Sequence, residues 1–176
     1  MGITIRKVLP EEAHEYALLH NSCWESAYTG IIPDEYLSSM AEEWMEQRVE
    51  RYRQALNSPC YGFYCTEYEG KMVGRLVIQK SRDEDKPEAG EIMAIYLIEE
   101  FWDKGYGKEM LNFALSKLNS MGHSEIILWV LEENIRGRKF YEKHNFVFDG
   151  AKKEVEFGKP LICLRYASGR KNCGAY

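Results

Sequence analysis

Ile92-Met93-Ala94-Ile95-Tyr96-Leu97-Ile98, then Trp102-Asp103-Lys104-Gly105-Tyr106-Gly107-Lys108, then Ile126-Ile127-Leu128-Trp129-Val130-Leu131: these three runs decide the fold. The first and third are apolar throughout, without the alternation of a half-exposed strand. They read as strands buried on both faces. Between them Met110, Leu111, Ala114, Leu115, Leu118 and Met121 repeat at the spacing of one helix face, and Gly122 is placed to end that helix. Strand, helix, strand makes a right-handed crossover between two parallel strands. A strand that feeds a glycine turn opening a helix is a phosphate-binding design. Glycine lets the backbone approach, and free N–H groups point at the anion.

Two better-known phosphate loops do not fit. A Walker-type loop would need Gly at Trp102 and Ser or Thr at Glu109. A dinucleotide fingerprint would need a third glycine where Met110 stands. What remains is a bare G-x-G at a helix start.

Outward from this segment, Asn134 is a good N-cap for a short helix to His144, and Asn145 can take the left-handed conformation that ends it. Strands Phe146 to Phe157 and Leu161 to Tyr166 follow. Upstream come a strand from Ile3 to Val8, a helix from about Pro10, and a second helix from Glu35 to about Leu56. A hairpin of Tyr61 to Glu67 and Met72 to Lys80 turns at Glu69-Gly70. There is no internal repeat.

The 176 residues, 45% hydrophobic, suit one domain with a sizeable core. No apolar run approaches the ~20 residues that span a bilayer. The start lacks the apolar stretch of a signal peptide. Five scattered cysteines with no C-x-x-C pair favour a reducing compartment, and a cytoplasmic location is expected. A net charge of −5 argues against nucleic acid as a partner, and no membrane partner is expected. The four histidines show no metal spacing.

The stretch from Leu128 to Gly150, L-W-V-L-E-E-N-I-R-G-R-K-F-Y-E-K-H-N-F-V-F-D-G, resembles the C-terminal signature of the GCN5-related N-acetyltransferase (GNAT) superfamily. Gly105 and Gly107 match the last places of that family's Q/R-x-x-G-x-G/A loop, while Trp102 departs from its usual Arg or Gln. Trp24 to Pro33 is similar to the acceptor-side helix and loop of one bacterial branch. The resemblance implies an α/β fold: a seven-stranded mixed sheet flanked by helices, with strands four and five splayed apart. One acetyltransferase domain over 1–167 and a fraying tail over 168–176 are expected.

The implied activity is transfer of acetyl from acetyl-CoA directly to an amine, small or on a peptide, releasing CoA. A non-catalytic acyl-CoA-binding sensor is the alternative, and homodimerisation is left open. The backbone of Asp103, Lys104, Gly105, Tyr106, Gly107 and Lys108 would grip the pyrophosphate. Ile95, Tyr96 and Leu97 would bond the pantetheine and acetyl group, and Asn134 a pantetheine amide. Arg138, among the basic residues Arg136, Arg138 and Lys139, would reach the phosphates unless that face is merely solvated. Tyr141 would be the general acid, a phenol with an ordinary pKa of about 10 being protonated at neutral pH; the bland alternative is a core tyrosine. Glu91, on the same side of its strand as Met93, Ile95 and Leu97, would be the base unless a water relay serves. Trp24 and Tyr28, four apart on one helix face, would form an aromatic wall for a cationic or amphipathic amine, together with the loop at Phe157-Gly158-Lys159. Otherwise they only pack their helix onto the sheet.

Overall fold

The computed structural model describes residues 2–42 and 44–168, with the side chain of residue 42 excepted. The tail expected from residue 168 lies outside the described residues except for Ser168. That residue ends a strand, and its hydroxyl accepts from the Ile126 N–H at 3.0 Å.

The elements run β1 (Thr4–Lys7), α1 (Ala13–Tyr28), α2 (Asp34–Glu42), α3 (Met45–Leu56), β2 (Tyr61–Tyr68), β3 (Lys71–Lys80), β4 (Gly90–Leu97), α4 (Tyr106–Ser120), β5 (Ile126–Leu131), α5 (Ile135–Lys143), β6 (Phe146–Glu156) and β7 (Pro160–Ser168). Short 3-10 turns cover Pro10–Glu12 and Glu99–Phe101. The single helix expected from Glu35 to Leu56 is two helices. No Gly or Pro marks the break. Trp44 stands at the turn and sets its ring 5.2 Å from that of Tyr36, so a tertiary contact bends the chain there.

Seven strands form one sheet in the order β1-β2-β3-β4-β5-β7-β6. All neighbours are antiparallel except β4 and β5. That parallel pair is joined only at Gly90↔Ile126, Glu91↔Ile127 and Ile92↔Leu128. Beyond Ile92 the two strands part, and the β5-facing edge of β4 has no partner strand.

One core lies under α4, where Met110, Leu111, Ala114 and Leu118 meet Leu76, Ile78, Ile92 and Leu128; the rings of α5 pack at its margin. A second core lies under α1 and α3, around Tyr16, Ala17, Phe63, Val77 and Ala94. Ile92 and Ala94 therefore face opposite sides although they are two apart in one strand. The register slips between them: Ala94 pairs with Val77 and Ile92 with Ile78, which leaves Met93 as the extra residue of a bulge, 45% exposed. A bulge shifts the alternation of everything before it.

Candidate active site

The glycine turn is built as an anion cradle. Gly105 caps α4 at φ 87°, in the left-handed region, and Asp103 sits at φ 57°. A Cβ at Gly105 would meet nothing within 4 Å, so the space above it is open. The N–H groups of Asp103, Lys104, Gly105, Tyr106 and Gly107 donate to no atom among the described residues, whereas Lys108 and Glu109 already bond the Gly105 carbonyl. Those free donors at the positive end of a fifteen-residue helix fit a pyrophosphate. Gly107 has a different reason to lack a side chain: a Cβ there would press on the Phe140 ring at 3.3 Å. Lys104 lies over the Phe101 ring at 5.1 Å, and the Tyr106 ring packs near Tyr68 and Phe101.

Trp102, in the place of the family's Arg or Gln, has two contacts that explain it. Its indole N–H donates to the Leu97 carbonyl at 2.8 Å, pinning the loop to the end of β4. Its ring carries the guanidinium of Arg136 at 4.3 Å, and Arg136 also pairs with Asp103 at 2.7 Å. A guanidinium thus stands beside the loop, supplied by α5. Arg138, expected to take that role, instead donates to the Glu132 carbonyl at 3.0 Å and to the Tyr166 hydroxyl at 3.2 Å. The arginine that stands beside the turn is Arg136.

Asn134 caps α5, its Oδ1 accepting from the Gly137 N–H at 2.9 Å. Its amide N–H groups have no partner among the described residues and face the same end of the fold. Asn145 ends the helix at φ 65°.

Three phenols meet where β4 and β5 part. Tyr28 comes from α1, Tyr96 from β4 and Tyr141 from α5, on the opposite side of the sheet from α1. The hydroxyls of Tyr28 and Tyr96 are 2.6 Å apart. Burial, with the Tyr96 phenol beside it, holds Tyr141 well above the ordinary phenol pKa. Burial also holds Tyr28 well above that value and raises Tyr96. All three stay protonated through the neutral range. The hydroxyl of Tyr141 is not engaged by any described residue. Ile95 and Leu97 flank Tyr96, with their side chains in the core under α4.

Trp24 continues the aromatic surface, its ring 5.1 Å from Tyr28 and 5.2 Å from Phe157. The loop at Gly158 leans on α2, where a Cβ on Gly158 would touch Tyr36 at 3.0 Å. Tyr28 is a core residue that also borders the gap: it is 6% exposed, and its hydroxyl meets that of Tyr96.

Glu91 is not brought into this group, and its expected place is corrected on two grounds. The bulge at Met93 puts it on the face of Ala94 and Tyr96 rather than that of Ile95 and Leu97, but it sits in the joined part of the β4–β5 pair, away from the gap. At strand rise it lies about 15 Å from Tyr96 along β4. Both of its carboxylate oxygens are also hydrogen-bonded, by Arg82 at 3.0 and 3.2 Å and by Gln79 at 2.7 Å. Trp129 on β5 is likewise tied down, donating to Asp83 at 3.0 Å. Sequence reasoning named Arg136 within the basic cluster but singled out Arg138, and it missed the Tyr96 side chain and the cavity residues His20, Tyr36, Arg48 and Arg51.

The acetyltransferase (GNAT) family model matches residues 24–146. A probable N-acetyltransferase of Mycobacterium tuberculosis is 32% identical over 85% of this chain and 82% of its own length. The spermidine N(1)-acetyltransferase of Thermoplasma acidophilum is 24% identical over 83% of this chain and 89% of its own. Among solved structures, the PaiA N-acetyltransferase of Thermoplasma acidophilum in complex with coenzyme A superposes with a TM-score of 0.71 at 22% identity, covering 96% of this chain and 99% of that one.

Proposed function

The chain belongs to the acetyltransferase (GNAT) family, and from that premise we propose that it moves the acetyl group of acetyl-CoA directly to the amine of a small acceptor. The observation that carries this reading is the meeting of Tyr141 with the Tyr28–Tyr96 pair in the gap between β4 and β5, one strand end away from the cradle at Gly105.

Acetyl-CoA supplies the acetyl group and a thiolate leaving group. The free N–H groups from Asp103 to Gly107 and the guanidinium of Arg136 hold the phosphates. Asn134 donates to the pantetheine arm. The open edge of β4 over Ile95, Tyr96 and Leu97 offers backbone groups to the arm and the carbonyl. Tyr141 gives its proton to the departing sulfur. Burial makes this phenol a weaker acid than usual, but the same dry surroundings make a thiolate a stronger base. Tyr28 and Tyr96 orient the acceptor's end of the site.

With Glu91 engaged elsewhere, the amine loses its proton to water. Direct transfer fits the cysteines. Burial raises the thiol of Cys163, the cysteine of the aromatic cluster around Tyr28, and pushes those of Cys23 and Cys65 up to about 12 and about 11. None is an activated nucleophile.

The test is a thiol-release assay with acetyl-CoA and a panel of amines, run on two variants. Tyr141→Phe is expected to lower kcat roughly 10²-fold, the scale of a lost general acid, with KM for acetyl-CoA little changed. Glu91→Gln is expected to keep kcat within about threefold and to lower Tm by several degrees, since it breaks a buried charge-assisted pair of about 1–3 kcal/mol. An inactive Glu91→Gln enzyme that is still folded, beside a fully active Tyr141→Phe enzyme, would reverse the assignment. Binding of acetyl-CoA without turnover of any amine would favour a sensor.

A further inference from the structure

Beside the phenols lies a cavity of about 410 Å³, lined by Trp24, Tyr36, Trp44, His20, Arg48 and Arg51. That volume is within the ~300–1,000 Å³ of small-ligand pockets. It adjoins the acceptor end of the site, because Trp24 touches both Tyr28 and Phe157, and Tyr36 lies 5.8 Å from Phe157.

Among the described residues, the charged groups that line the cavity, Arg48 and Arg51, are both positive. Arg48 is half-buried and donates to the Met40 carbonyl at 3.0 Å and to Asn21 Oδ1, both neutral. Arg51 is exposed at the rim. Behind them Arg75 is 4% exposed, held between the rings of Tyr16 and Tyr52 at 5.2 and 5.7 Å, with its Nε unpartnered. Among the described residues none of the three guanidinium groups pairs with a carboxylate. His20 offers no negative charge either. Its Nδ1 meets the Tyr52 hydroxyl at 2.5 Å, and its Nε2 is buried without a partner among the described residues. Burial, then Arg75 and Arg48, hold its pKa well below the ordinary imidazole value, so the ring is neutral.

Like charges gathered in a half-desolvated site cost stability unless an anion joins them. The positive field is local, since the whole chain carries −5. A polyamine in this cavity would set a second ammonium against Arg48 and Arg51.

We propose, resting on the N-acetyltransferase reading, that this cavity takes the anionic end of the acceptor, which is therefore a small amine carrying a carboxylate. The aromatic walls hold its apolar middle, the arginines its acid, and the amine points to the phenols. This replaces the cationic or amphipathic amine expected from the aromatic wall of Trp24 and Tyr28 with one that carries an acid.

The experiment measures kcat/KM in the thiol-release assay for matched pairs: phenylalanine against phenethylamine, and 4-aminobutyrate against butylamine, with spermidine as the cationic extreme. At least one acid should exceed its carboxylate-free partner by about tenfold or more, the scale of one charge-assisted contact. Arg51→Gln, at an exposed position that spares the fold, should bring that ratio to within about twofold of one, and Arg51→Lys should restore part of it. Preference for phenethylamine, butylamine or spermidine in the unaltered enzyme overturns the proposal. So does a ratio that Arg51→Gln leaves in place. Failure with every amine, acids and bases alike, would sink the N-acetyltransferase reading itself and the acceptor class with it, a result recognisably different from turnover of the wrong amine.

Discussion

Arg136 and Arg138 stand two apart on α5, which at 3.6 residues per turn is about 200° around the helix axis. They therefore point to opposite sides. One stacks on Trp102 and pairs with Asp103 beside the cradle; the other is drawn inward to the Glu132 carbonyl and to Tyr166, whose hydroxyl in turn donates to Glu142 at 2.6 Å. Both are arginines within the same short helix, so residue type alone says nothing about which stands beside the turn. The spacing of Arg138 to Glu142 was the one available cue, because residues four apart share a face. Function and stability should separate between the two. Arg136→Ala is expected to weaken acetyl-CoA about tenfold in calorimetry, with affinity that falls less with salt than in the parent, and to leave Tm nearly unchanged. Arg138→Ala should lower Tm and leave affinity within about twofold, because it removes an internal contact to a carbonyl and a phenol. Equal affinity losses from both would mean that α5 is disturbed as a unit and that neither guanidinium is specific to the cradle.

At the scale of elements, the turn into α4 was legible because its chemistry is local. Gly105 is required by a φ of 87°, and a glycine just before a helix-period run signals as much. Asn134 as a cap and Asn145 as a terminator were legible for the same reason, and both stand where local chemistry puts them. The bulge in β4 was not. A strand buried on both faces is apolar at every position, so a one-residue slip leaves no mark in the sequence, yet it turns Glu91 away from Ile95 and Leu97. The break between α2 and α3 was hidden too, since it depends on Trp44 meeting Tyr36 rather than on a helix breaker. The cradle then makes its own prediction. Gly105→Ala has room for its Cβ in the free protein and costs only the left-handed backbone, about 1–2 kcal/mol. The methyl group would stand in the open space above the helix start. Acetyl-CoA affinity should fall by tenfold or more while Tm drops only a few degrees. An unchanged dissociation constant would place the pyrophosphate elsewhere.

Taken as a whole molecule, the sheet is two antiparallel sets, β1 to β4 and β5 to β7, joined by three parallel pairs at one end. Past Ile92 the halves are held by what lies across the gap: the α4 core and Tyr141 on one side, the aromatic residues of α1 with the Tyr28–Tyr96 pair on the other. The gap thus combines an unpaired strand edge, free helix-start donors and buried hydroxyls. Such groups remain costly until something bonds to them. A pantetheine arm laid between the strands would satisfy them and bridge the halves. At a concentration 100 times its dissociation constant, CoA should stabilise the fold by about 2.7 kcal/mol. For a chain of this length that is a rise in Tm of about 5–10 °C. The gain should be uneven in hydrogen exchange. Amides from Asp103 to Gly107 and those of β4 after Ile92 should become protected beyond the general increase, and those of β1 and β2, remote from the gap, should follow the global change alone. A uniform rise in protection, or extra protection confined to β1 and β2, would show that CoA binds without entering between β4 and β5.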